Sequence, residues 1–147
     1  MKSIFFLLLT FLISCTNTGK KGAEIFQKNG YAINGYDPVA FFEEEKPVKG
    51  NPQFKYRWKD ADWVFSTQAR LDSFRLAPEK FAPQYGGYCA YGTADRHKAP
   101  TEADTWTLQD GKLYFNYNMD VKKLWDQDRA KFILEADGNW EKIKFTD

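Results

Sequence analysis

The sequence predicts a small single-domain α+β fold, and three observations lead there. Phe54, Tyr56 and Trp58 alternate with Lys55, Arg57 and Lys59, the period of two that marks a half-buried strand. Asp110-Gly111 sits between Trp106-Thr107-Leu108 and Leu113-Tyr114-Phe115, and that dipeptide accepts the positive φ angles of a two-residue hairpin turn. Leu71 with Phe74, and Val121 with Leu124 and Trp125, recur at helical spacing after residues suited to capping. Aromatic residues make up 18% of the chain, and such rings bury enough area to hold a small domain without disulfides or metal.

The N-terminus carries Lys2, an apolar run over residues 4–13 and then Leu12-Ile13-Ser14-Cys15, a pattern similar to the lipobox of bacterial lipoproteins. An apolar run of this length is too short for a stable bilayer span, so residues 1–14 read as a cleaved signal peptide. Ser14 is small enough for the peptidase, and Cys15 is the expected site of lipidation. Residues 15–30 read as a lipidated tether, the stretch over 16–22 being polar and without apolar periodicity. The domain then occupies residues 31–147, with order expected to begin near Tyr31-Ala32-Ile33. The implied address is the cell envelope, periplasmic or outer face, with the lipid as the membrane partner.

Within the domain, Asp37-Pro38 reads as the start of one brief turn through Val39, Ala40, Phe41 and Phe42. The strand around Phe54, Tyr56 and Trp58 reverses at Asp60-Ala61-Asp62 into Trp63-Val64-Phe65. Ser66 is then placed to cap a helix ended by Pro78. After the second hairpin Asn118 caps another helix, and a last helix carries Phe132, Ile133, Trp140 and Ile143, with Gly138 weakening its middle. These elements make two β-hairpins with short helices.

The segment Trp63-Val64-Phe65-Ser66-Thr67-Gln68-Ala69-Arg70-Leu71-Asp72-Ser73-Phe74 resembles the core of the YHS domain family. Gly35-Tyr36-Asp37-Pro38-Val39-Ala40 resembles that family's first ligand turn. Tyr85-Gly86-Gly87-Tyr88-Cys89-Ala90-Tyr91 is similar to the exported members. The resemblance implies a hairpin-helix core whose compact relatives carry metal-binding cysteines at the positions of Ala40, Ser66 and Arg70. This chain has none there, so its fold is expected to stand on packing in place of a metal clamp. The family's association with metal handling implies a copper or haem partner, or no cofactor at all.

Chemistry-bearing residues are few. With Cys15 acylated, Cys89 is the one remaining thiol, and an intramolecular disulfide is excluded. The candidate ligand segment is Gly86, Gly87, Tyr88 and Cys89 with Tyr91 and the only histidine, His97. Cys89 and His97 are the candidate metal ligands, with Met119 as a third soft donor for copper(I) or haem. Against these stand a buried cysteine used as a small hydrophobe and a histidine on a polar surface loop. A four-ligand structural zinc site lacks donors.

Formal net charge is +1, and no like-charge block exceeds Glu43-Glu44-Glu45, so a nucleic-acid partner is not expected. Phosphate loops, nucleotide fingerprints, serine elbows and zinc-protease helices are all missing. The reading is a membrane-anchored binding or accessory module for a metal or small ligand, more a module than an enzyme. The competing classes are a thiol-dependent redox enzyme using Cys89 and a structural domain bound to an envelope protein.

Overall fold

A computed structural model describes residues 22–147. The expected signal peptide, Cys15 and the first part of the expected tether lie outside the described residues. The described chain is a small α+β domain with six α-helices and three two-stranded antiparallel sheets. Among the described residues no helix is long and apolar enough to cross a membrane.

The first sheet is a hairpin of β1 (Gln27–Lys28) and β2 (Tyr31–Ala32), which sequence reading missed. Order begins earlier than expected: Ile25 and Phe26 are buried, and the Phe26 amide donates to Gly86 O at 2.9 Å. Gly22 N is likewise bonded to Phe145 O at 3.0 Å. The tether expected over 15–30 therefore does not extend across its second half. The partners that order this stretch lie far along the chain, so no local pattern announces it.

Helix α1 (Ala40–Glu43) is the brief turn predicted after Asp37-Pro38. Strands β3 (Asn51–Trp58) and β4 (Ala61–Phe65) form the second sheet, with Tyr56 opposite Trp63 and Trp58 opposite Ala61. Their turn is tighter than expected, because Lys59 and Asp60 alone carry the positive φ angles, 50° and 57°. Helix α2 (Gln68–Leu76) presents Leu71 and Phe74 to this hairpin. Phe74 is the hub: its ring centroid lies 5.1 Å from those of Trp63 and Phe65 and 5.7 Å from that of Trp58. The cap of α2 is Thr67, whose hydroxyl accepts from Arg70 N at 3.2 Å, and not Ser66. Ser66 is drawn instead to Asp37, 29 residues earlier.

Two short helices, α3 (Pro78–Phe81) and α4 (Ala90–Ala94), flank the Tyr85-Gly86-Gly87 turn. Strands β5 (Thr107–Gln109) and β6 (Lys112–Tyr114) make the predicted second hairpin, turning at Asp110 and Gly111 with φ of 51° and 72°. Side chains alternate along β6, so Leu113 enters the core shared with β4 and α2 while Tyr114 enters a second core with Tyr85, Ala90, Trp125 and Ala136. Helix α5 (Met119–Asp126) starts as expected at Asn118, whose Oδ1 accepts from Val121 N at 2.9 Å. Helix α6 (Arg129–Ile143) closes that second core.

Candidate functional site

The positions that the family resemblance singles out meet in space. Asp37 is fully buried and accepts four hydrogen bonds. Its Oδ1 takes Val39 N at 2.9 Å and Ala40 N at 3.3 Å, and its Oδ2 takes Ser66 N and Ser66 Oγ, each at 2.8 Å. Arg70, one helical turn beyond Ser66, donates to Ser66 Oγ at 2.8 Å and places Nη1 3.6 Å from Asp37 Oδ2. The guanidinium is completed by Glu43 at 2.9 Å and by Glu44. Burial works to lower the Arg70 pKa, but the bonds from Glu44 and Glu43 and the Asp37 charge outweigh it and hold it above its ordinary value. The Arg70 bond in turn lowers the Glu44 pKa. Ala40, Ser66 and Arg70 thus surround a carboxylate already saturated by donors.

The segment from Gly86 to Cys89 is pinned from several sides. Gly86 has φ of 60°, and a Cβ there would stand 1.9 Å from Glu24 O, so only glycine fits. Gly87 packs against Ile33 in the same way, at 2.7 Å. Tyr88 donates its hydroxyl to Ala23 O at 3.0 Å. Cys89 is 1% exposed. Its thiol donates to Asn116 Oδ1 at 3.6 Å and accepts from Tyr117 N at 3.2 Å and Gly92 N at 3.4 Å, which makes it the cap of α4. Burial pushes the thiol pKa up, against the opposing pull of the Gly92, Tyr117 and Tyr91 amides. A reactive thiol needs the reverse, an accessible and electropositive setting.

Of the other candidates, Tyr91 stacks edge-on against Phe132 at 5.0 Å. His97 is exposed, with Nδ1 3.4 Å from Asp95 O and 3.6 Å from the Asp95 carboxylate. Gly92 stands between His97 and Cys89: a Cβ built there would meet His97 Nε2 at 3.2 Å and Cys89 Cβ at 3.5 Å. Among the described residues no hydrogen bond joins the two. Met119 is exposed at the start of α5. The structure brings Cys89 together with Asn116, a residue that sequence reading did not single out. Its signal was a lone amide ending the run Leu113-Tyr114-Phe115.

A metal or haem does not fit this donor set. Among the described residues no group of three or more His, Cys, Asp or Glu side chains is placed to hold a metal ion. Cys89 already has two donors and an acceptor on its sulfur, His97 points to its own loop, and Arg70 brings a fixed cation to the place where the resemblance would put thiolates.

One turn of the candidate segment does open on a cavity. A cleft of about 440 Å³ is lined by Tyr85 and Gly86 together with Trp58, Trp140, Glu79 and Lys112 among others. Tyr85 holds φ of 56°, an uncommon conformation for a bulky residue. Its hydroxyl donates to Asp137 Oδ1 at 2.9 Å, and burial followed by that bond pushes its pKa far up. Gly86 is therefore the one predicted ligand residue that lines this cleft, while Gly87, Tyr88, Cys89, Tyr91 and His97 do not. Comparison with protein-family models, with curated proteins and with solved structures finds no match to this chain.

Proposed function

We propose that this chain is a lipid-anchored envelope protein whose YHS-like domain serves as a binding or accessory module, with the Tyr85-Gly86 cleft as its ligand surface. The lipobox at Cys15 supports the anchor, and the motifs around Asp37, Ser66 and Tyr85 support the family reading. The observation that carries the module reading is the left-handed Tyr85-Gly86 turn forming part of the cleft lining. Backbone strain of this kind persists only where surrounding structure enforces it, here through Asp137 and Glu24. Six polar side chains and three aromatic ones converge on the cleft, a lining suited to a hydrogen-bonding ligand.

The thiol-enzyme alternative is weaker, because Cys89 is buried, saturated with hydrogen bonds and raised in pKa. Alkylation of the native lipidated protein by iodoacetamide, read at the Cys89 peptide by mass spectrometry, separates the two. The module reading expects labelling only on unfolding, and rapid labelling of the folded protein would return the thiol enzyme to first place.

A further inference from the structure

We propose that the cleft takes a neutral oligosaccharide, an inference that rests on the reading of this cleft as the ligand surface. The first argument is the inventory of polar groups. Glu24 and Lys59 neutralise each other at 2.8 Å, while Asp137 accepts from the Tyr85 hydroxyl through Oδ1 and keeps its charge. Among the described residues the side chains of Glu79, Gln84 and Lys112 make no hydrogen bond, and all three line the cleft. The spare groups are thus one carboxylate acceptor, one ammonium donor and one carboxamide that both gives and accepts. A ligand rich in hydroxyls, each donor and acceptor at once, satisfies all three.

The second argument is charge. Glu24, Glu79 and Asp137 stand against Lys59 and Lys112 in the lining, so the cleft repels a phosphate, and among the described residues its carboxylates are not grouped to hold a metal ion. A zwitterion would match the Glu79 and Lys112 charges. The cleft is open to solvent, however, with Glu79 and Lys112 both exposed, and exposed ion pairs contribute little. Contact with a ring face keeps its value at such a surface. Trp140, half-buried in the lining, supplies apolar surface for the C–H face of a pyranose, whereas the Trp58 ring already carries Lys59 Nζ 4.8 Å from its centroid.

The third argument is rigidity. Gly86 cannot carry a Cβ, Tyr85 is fixed by Asp137, and Trp140 packs edge-on against Tyr85 with centroids 6.1 Å apart. A lining that is already ordered loses little entropy when it binds a weakly interacting ligand.

The test titrates the full lipidated chain, in a detergent free of sugar, with N,N′-diacetylchitobiose and cellobiose while tryptophan fluorescence is followed. A saturable change with either sugar is expected, and Trp140→Ala should weaken it by about tenfold, the value of one lost stacking contact. Because Trp140 also packs in the second core, Glu79→Gln with Lys112→Met provides a second variant at exposed positions, expected to weaken the sugar without changing the melt. No saturable change at millimolar sugar would overturn the inference. So would sugar binding that both variants leave intact, or binding of glycylglycine in place of sugar. In each of those cases a Cys89 that stays unlabelled in the folded protein leaves the module reading standing, so the two failures are distinguishable.

Discussion

Removing the Asp37 carboxylate should be the most damaging single change near the family-like turn. Asp37→Ala leaves Val39 N and Ala40 N, both in fully buried residues, and Ser66 N without their acceptor, and leaves the Arg70 guanidinium without its buried counter-charge. Each buried donor left unmet costs about 1–3 kcal/mol, but such losses overlap, and breaking a buried charged pair costs about 3–5 kcal/mol in total. For a domain of this size that is about 12–20 °C in Tm at roughly 4 °C per kcal/mol. Asp37→Asn should be nearly as harmful. Its amide oxygen can still accept from Val39 N and Ala40 N, but its NH₂ would face the Ser66 amide, donor against donor, and the Ser66 hydroxyl would have to turn and accept. Arg70→Met leaves all four bonds to Asp37 in place but strips that buried carboxylate of its counter-charge, so it should cost less than Asp37→Ala, about 2–3 kcal/mol. Thermal melts of the three variants by circular dichroism decide the matter. An Asp37→Ala protein within about 3 °C of the parent, or an Arg70→Met loss exceeding the Asp37→Ala loss, would refute the reasoning.

At Cys89 the order of substitutions is informative in urea melts: Ser, which can take over the Gly92, Tyr117 and Asn116 bonds, should cost about 1 kcal/mol, and Ala, which strands the Gly92 and Tyr117 amides, about 2–3 kcal/mol. Gly138 lies inside α6 with nothing within 4 Å of an added Cβ, so Gly138→Ala should raise stability by about 0.5–1 kcal/mol in the same assay. Burial holds the Cys89 thiol above its ordinary 9.0 and Tyr114 up to about 12. Groups raised in the folded state confer stability that is complete below their unfolded pKa and lost as pH climbs through the folded one, so Tm should fall above about pH 9. Tyr114→Phe should flatten the upper part of that fall.

What was legible in the sequence is what short-range chemistry decides. Asp110-Gly111 permits positive φ, Phe54, Tyr56 and Trp58 alternate, and Asn118 caps α5, each of these within a few residues. The Asp37 carboxylate was read as a helix-start acceptor, and it is one, yet its second oxygen serves Ser66 and thereby moves the α2 cap to Thr67. Nothing near Ser66 reveals that competition. The cleft was illegible for the same reason. Glu24, Trp58, Glu79, Tyr85, Lys112 and Trp140 come from six separate stretches, and only the Gly86-Gly87 pair hinted at an unusual turn. Cys89 was weighed between packing and chemistry, and its thiol turned out to be a buried helix cap, because the Tyr117 amide and Asn116 side chain arrive from beyond the second hairpin.

Central to this fold is a hydrogen-bonded ion cluster of Asp37, Ser66 and Arg70 at positions where the family resemblance would place metal-binding thiolates. Elemental analysis of the full-length protein, purified from its native source without chelator, tests this most directly. The account predicts no stoichiometric copper, zinc or iron and an unchanged melt after EDTA. An equimolar transition metal whose removal lowers Tm, and whose return restores it, would contradict it.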